Sequence, residues 1–214
     1  MAAPRRHLSP DARRTELLAL GAEVFGLRPY DEVRIDEIAE RAGVSRALMY
    51  HYFPDKRAFF PAVARAEGER LFEATSTPPL PGQTLFGQVR NGVLAYLRYD
   101  EEHPHRAWAA STGRTDPLLR GISDVDNDRQ ADRILGRMTA VVGVPVDEKV
   151  ERDLRAAVYG WLASTFEMCR QRLMDPSLDV DLIADLCAHT LMDGVGRVPG
   201  IPAALADAVA APQR

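Results

Sequence analysis

At 214 residues, with 46% hydrophobic and 27% charged side chains, the chain is long enough to bury a real core and reads as a globular protein of one or two domains. No run approaches the roughly 20 apolar residues of a membrane helix, nothing apolar follows the arginines of MAAPRRHLSPDARR, and Cys169 and Cys187 lack CxxC or Cys/His spacing, so membrane span, signal peptide, disulfide scaffold and zinc finger are set aside and the cytoplasm is expected. The net charge of −4 denies the whole chain a footprint for nucleic acid, yet residues 1–60 hold 10 Arg or Lys against 9 Asp or Glu, leaving 17 against 22 for an acidic remainder.

Apolar residues recur at intervals of three and four and strand alternation is absent, so the fold is expected to be all-α. Ser9-Pro10-Asp11 starts the first helix: a serine oxygen caps free N–H groups, proline suits the first position, and an acid favours the positive end of the dipole. This helix runs to about Gly26 with Leu17, Gly21 and Phe25 inward, Leu18 and Leu20 beside them, and Arg13, Arg14, Glu16 and Glu23 wet. Between Ile35 and Phe53 two short helices flank Gly43, which can take the left-handed conformation, and Ser45 caps the second of them. Pro54-Asp55 restarts the chain as a fourth helix from near Lys56 to Ala74. The run from Thr75 to Gly82 breaks periodicity and marks a boundary. The expected division is 1–57, a connecting segment 58–82, a body 83–197 and a tail 198–214.

In the body, Leu85, Phe86, Val89, Val93, Tyr96 and Leu97 form one stripe of a helix ending near His103. A short piece carries Trp108, and a helix from about Pro117 to Ala140 is expected to loosen between Gly121 and Asp128. From Asp147 to Met174, Val150, Leu154, Val158, Trp161, Thr165 and Met168 make one stripe and Tyr159, Ala163 and Phe166 a second. The last long helix, Asp179 to Val195, sets Val180, Ile183, Cys187 and Leu191 on one side with Leu182 and Leu186 nearby. Two apolar faces on one helix imply two packing partners, one of which can be a second copy of the chain. The tail, rich in Ala and Pro, holds one short helix or is disordered.

The informative segment runs from Val33 to Lys56. Ile38, Ala39, Val44, Met49 and Phe53 are the apolar points that lock two helices across a glycine turn. Arg46, Ala47, Leu48, Tyr50 and His51 then face outward, a basic, small, apolar and aromatic set of the kind that enters a major groove. Tyr50, His51, Tyr52 and Lys56 offer donors for phosphate oxygens, and the helix starts at Arg34 and Ser45 add N–H groups. From periodicity alone, a small aromatic core and a DNA-reading head remain equally open.

Ile38-Ala39, Gly43-Val44-Ser45, Tyr50-His51-Tyr52-Phe53 and Lys56, in that order, resemble the DNA-binding domain of the tetracycline-repressor-like (TetR) family of bacterial regulators, over about Arg13 to Phe60. The chain departs from that pattern at Arg34, where Ser or Thr is frequent, and at Ala47-Leu48, where Gly-Thr or Gly-Ser is. Arg34 can still reach a phosphate, while Leu48 can touch only something apolar, such as a thymine methyl.

The resemblance implies an N-terminal three-helix helix-turn-helix domain, and a larger C-terminal helical domain that dimerises and binds a small-molecule effector. It implies a homodimeric repressor on a palindromic double-stranded DNA operator. The DNA-contacting residues are then Arg34, Ser45, Arg46, Ala47, Leu48, Tyr50, His51, Tyr52 and Lys56. Phe86, Tyr96, Trp108, Leu119, Met138, Trp161 and Phe166 fall on four helices or helix pieces and are expected to line an effector cavity. Few charges lie among them, which favours a hydrophobic or aromatic effector.

No catalytic residues, metal or cofactor are expected. His103-Pro104-His105 lacks an acidic or cysteine partner, Cys187-Ala188-His189 reads as a buried thiol beside a partly buried imidazole, and Asp124, Asp126 and Asp128 lack the glycine and terminal glutamate of a calcium loop. GxSxG, P-loop and GxGxxG motifs are absent. The alternative is a helical small-molecule-binding protein or enzyme whose head no longer binds DNA; Tyr50, Tyr52 and Lys56 weigh against it.

Overall fold

A computed structural model describes residues 8–76, 78–103, 117–143 and 146–211, with backbone alone for 117–120. Among the described residues every regular element is helical. They divide into two compact units, one taking in residues up to Arg70 with 117–122, the other Leu71–His103 and everything from Ser123 onward.

In the first unit, α1 (Pro10–Leu27) opens as its sequence dictates, with Ser9 accepting from the Ala12 N–H at 3.2 Å. A short 3-10 turn (Tyr30–Glu32) leads to α2 (Ile35–Arg41). Gly43, at φ +64°, turns the chain, and the Val44 N–H reaches back to Ala39 O at 3.0 Å. Ser45 then caps α3 (Arg46–Tyr52) by accepting from the Leu48 N–H at 3.2 Å. Asp55 caps α4 (Lys56–Thr75) through the Ala58 N–H at 2.7 Å.

Leu17, Phe25, Ile38, Met49 and Phe59 are fully buried at the centre of this unit. Their apolar area stabilises the head at roughly 25 cal/mol per Å². Phe25 meets Phe60 at 4.6 Å between ring centroids and Phe53 meets Phe59 at 4.7 Å, separations that aromatic pairs favour. Gly21 matters here because α1 and α4 approach closely: a Cβ on it would lie 2.5 Å from Phe59 Cζ.

In the second unit, α5 (Leu85–Glu102), α6 (Pro117–Val142, from Ser123 onward), α7 (Glu148–Met174), α8 (Val180–Gly196) and α9 (Ala203–Ala210) share one core. α8 packs on both α5 and α7, and α9 lies against α8 and α5. Arg90 of α5 bonds Asp181 and Asp185 of α8, each at 2.5 Å, and Arg172 of α7 meets Glu101 of α5 at 3.0 Å. Such half-exposed pairs fix register more than they add stability.

Two expectations are corrected, and one left open is decided. α6 is continuous through Gly121–Asp128, because its weak helix formers cost only tenths of a kcal/mol to about 1 kcal/mol each, while Ile122 packs into the first core and Ala131, Leu135 and Met138 into the second. Of the two states left open for the tail, the short helix forms, as α9, since Leu205 and Val209 have a buried site to fill. His189 is exposed, its ring 4.9 Å from that of Phe86.

α8 carries two apolar faces, whereas the second stripe expected on α7 is corrected: Tyr159 and Phe166 pack on the core of their own unit, and only Ala163 of the three is exposed. Leu154, Val158 and Trp161 of α7 and Ala184, Cys187 and Leu191 of α8 are buried, whereas Ala156, Gly160 and Ala163 of α7 are exposed and Leu182 and Leu186 of α8 stand 55% and 46% exposed. None of the described helices is long and apolar enough to cross a membrane.

Candidate nucleic-acid interface and cavity

Met49 alone of α3 is buried; it anchors the helix on the first core. Every other turn position therefore faces outward: Ser45, Arg46, Ala47, Leu48, Tyr50 and His51 are all exposed, as is Arg34, which occupies the position before α2 without a side-chain cap. One short helix thus presents a guanidinium, a methyl, an isobutyl, a phenol and an imidazole on one surface.

The free surface is not electrostatically idle. Arg46 lies 3.4 Å from an Asp36 oxygen and 3.8 Å from Glu40, both on α2. Slight desolvation and the neighbouring Asp36 carboxylate raise the Tyr50 pKa above that of an ordinary tyrosine, so its hydroxyl stays a neutral donor. The α2 acids hold the α3 side chains in place and must release Arg46 if it is to pair with a base or phosphate.

Lys56 and Tyr52 stand apart from this set. Lys56 Nζ donates to Tyr30 O at 2.7 Å, Val33 O at 3.0 Å and Asp31 O at 3.3 Å, and sits 4.4 Å from the centre of the Tyr30 ring. Its three protons are engaged with carbonyls at the turn that leads into α2. Tyr52 is half-buried, and its hydroxyl donates to Pro10 O at 3.2 Å. Both side chains position the helices that carry the exposed set. Lys56→Met is accordingly expected to lower the stability of the first unit by roughly 1.5–3 kcal/mol, the worth of a charge-assisted hydrogen bond left unmade. A urea titration followed by circular dichroism checks this; an unchanged midpoint would show the carbonyl contacts to be idle.

In the second unit a cavity of about 70 Å³ opens among α5, α6, α7 and the last residue of α4. Of the residues expected to line it, Tyr96, Trp161 and Phe166 do. Phe86 and Met138 do not: both are buried in the surrounding core, Met138 fully, because the inward faces of α5 and α6 are spent on helix packing there. Trp108, and the side chain of Leu119, lie outside the described residues. Tyr96 and Phe166 meet at 5.6 Å, and the Trp161 indole is pinned by a 2.7 Å bond from Nε1 to Cys187 O.

The wall also holds polar groups that the sequence reading passed over: Arg133, Arg137, Gln130, Gln88, Thr75 and Thr165. Arg133 donates to Phe72 O at 3.3 Å, Thr75 Oγ1 at 3.2 Å and Ser76 Oγ at 2.5 Å, and to Gln130 Oε1, and lies 4.7 Å from the Phe72 ring centre. Burial, with Arg137 and Arg129 nearby, lowers its pKa to about 10. A signal existed: Arg129, Arg133 and Arg137 recur every four residues and so share one face of α6.

The sequence pattern of bacterial regulatory proteins of the tetR family matches residues 17–63. A repressor of Mycobacterium tuberculosis, Rv1474c, is 34% identical over 134 residues, 58% of this chain and 70% of that protein. The activator FasR of Mycolicibacterium smegmatis is 41% identical over 64 residues, 30% of this chain; the matched stretches span 29% of FasR and 48% of the regulator EthR from the same organism. A tetR-family regulator from Streptomyces coelicolor superimposes with a TM-score of 0.75 at 20% identity, covering 95% of this chain and 89% of that one, a likeness of fold. With identity to Rv1474c sustained well beyond the head and over 70% of that repressor's length, the chain belongs to the tetR family of bacterial regulatory proteins.

Proposed function

We propose that the protein is a cytoplasmic DNA-binding transcriptional repressor that reads a palindromic operator as a homodimer and is released by a small-molecule effector. The carrying observation is α3, a helix with only Met49 buried and with Arg46, Ala47, Leu48, Tyr50 and His51 exposed beside Arg34. Arg46 offers a bidentate donor for a guanine edge, Leu48 an apolar contact for a thymine methyl, and Tyr50, His51 and Arg34 donors for phosphates. Lys56 and Tyr52 brace that face and, only half-buried beside it, are donors for phosphates too.

Repression is favoured over activation because the relative spanned to 70% of its length, Rv1474c, is named a repressor, whereas the activator FasR is matched over 29%. The homodimer rests on the apolar face of α8, Leu182 and Leu186, and the small residues Gly160 and Ala163 of α7, where an added Cβ on Gly160 would meet nothing. Four helices, two from each copy, would then form the interface. An operator with half-sites about one helical turn, roughly 34 Å, apart suits such a dimer.

Selection of binding sites from random duplexes with the purified protein tests the reading. The expected product is an inverted repeat; recovery of unrelated sequences at every round would refute it. Arg46→Ala should cost roughly 1–3 kcal/mol on the selected operator and relax preference at one base pair per half-site, with little loss on random DNA. Equal losses on both duplexes would reassign Arg46 to the phosphates.

A further inference from the structure

Among the described residues, Arg133 on the cavity wall is a cation with no carboxylate in bonding reach. All four hydrogen-bond acceptors of Arg133 are neutral: a backbone carbonyl, two hydroxyls and an amide oxygen. Its charged neighbours Arg137 and Arg129 oppose it rather than neutralise it. A half-buried guanidinium in that setting carries desolvation and like-charge penalties that a bound anion reverses. The rest of the wall is mostly apolar, with Val89, Val93, Ile134, Leu162 and Phe166 around the space. Thr165, 5% exposed, adds a buried hydroxyl with no oxygen or nitrogen partner among the described residues, beside the Cys187 thiol.

Arg133 has a second attachment. Phe72, Thr75 and Ser76, which accept its bonds, form the C-terminal end of α4, and a guanidinium there also complements the negative end of the helix dipole. Thr75 itself lines the cavity. The same side chain therefore closes the last turn of α4 and borders the ligand space, so an anion that takes its protons competes with that turn.

We propose that the effector is an apolar molecule with an anionic head of the carboxylate class, that Arg133 binds the head, and that binding loosens the C-terminal turn of α4. This deepens the effector reading above, and it adds an anionic head to the hydrophobic or aromatic effector expected from the sequence. Lining residues found by apolar periodicity omitted the arginine face of α6. At about 70 Å³ the space is about half the roughly 150 Å³ that admits benzene, so a slender chain fits it better than a ring.

The test uses the full-length protein without DNA, so that its failure is separate from failure of the operator reading. Tryptophan fluorescence, to which Trp108 and Trp161 both contribute, follows titration with butyrate, hexanoate and octanoate and with the matching primary alcohols. Hydrogen exchange follows the amides of residues 73–76. Carboxylates are expected to bind about tenfold or more tightly than the alcohols, as a charge-assisted bond does over a neutral one. Arg133→Gln should abolish that preference, Arg133→Lys should retain part of it, and saturating carboxylate should speed exchange at 73–76 in the wild type only.

Equal binding of acids and alcohols by the wild type overturns the anionic head. A preference that survives in folded Arg133→Gln makes Arg133 a helix cap only and overturns its role. Absence of binding by every probe at millimolar concentration, with the protein folded, overturns the site. Tight binding with unchanged exchange overturns the link to α4.

Discussion

Leu186→Glu is expected to leave the fold intact, convert the proposed dimer to monomer at micromolar concentration and weaken binding to the proposed operator by about 10²–10⁴-fold, the usual gain from joining two binding modules. Leu186 is 46% exposed and contributes little to its own core, so the substitution costs the isolated chain little. In a twofold dimer each change occurs twice, and a carboxylate buried against the apolar face of its mate has no partner to offset its desolvation. Sedimentation equilibrium, circular dichroism and operator titration on one preparation separate the outcomes. A folded Leu186→Glu dimer with full operator affinity would place the interface elsewhere. Leu182→Glu, on the same helix and 55% exposed, provides an independent repeat.

Phe59→Ala should be the most damaging single change in the head, costing about 3–5 kcal/mol, because the ring is fully buried between Phe25, at 5.9 Å, and Phe53, at 4.7 Å. Against a total stability of roughly 5–15 kcal/mol, that is enough to unfold a marginal domain. Gly21→Ala attacks the same contact from α1, where the new methyl would overlap Phe59 Cζ and Val63 Cγ2 at 2.5 and 2.7 Å, and should cost about 1–3 kcal/mol. The two are coupled: once the ring is gone, the methyl occupies space the ring has vacated. The double variant is therefore expected to be more stable than the sum of the single changes implies. Thermal unfolding of the three variants checks this, and strict additivity would mean that α1 and α4 accommodate the methyl by shifting apart.

Local chemistry explains why so much of the head was legible. Caps, a left-handed glycine and helix periodicity act within a few residues, so Ser9, Gly43, Ser45 and Asp55 mark boundaries that the structure reproduces. The outward set on α3 follows from Met49 being its one inward anchor. Those residues also lie in the stretch that carries the family pattern, 17–63. The exposed leucines of α8 were visible as a surplus apolar face, for the same reason of period.

What lay beyond reach depended on partners distant in the chain. The sequence makes Lys56 a candidate phosphate donor; the tertiary structure adds that its ammonium also meets the carbonyls of Tyr30, Asp31 and Val33, more than twenty residues away. Phe86 shares its aromatic ring, and Met138 its apolar character, with residues that do line the cavity, and which apolar side chain faces a cavity rather than a core depends on how α5, α6 and α7 pack. Arg133 is the clearest case. Its four-residue spacing from Arg129 and Arg137 put the three on one face of α6, but periodicity is silent on whether such a face meets water or a cavity. Packing placed that face beside the end of α4, a segment nearly sixty residues earlier, and so gave a surface-type residue a half-buried charge. The sequence determined the elements, their caps and the exposed face of α3, because those are set by neighbours in the chain; burial and charge at the cavity were decided by the tertiary structure, because they depend on which distant faces meet.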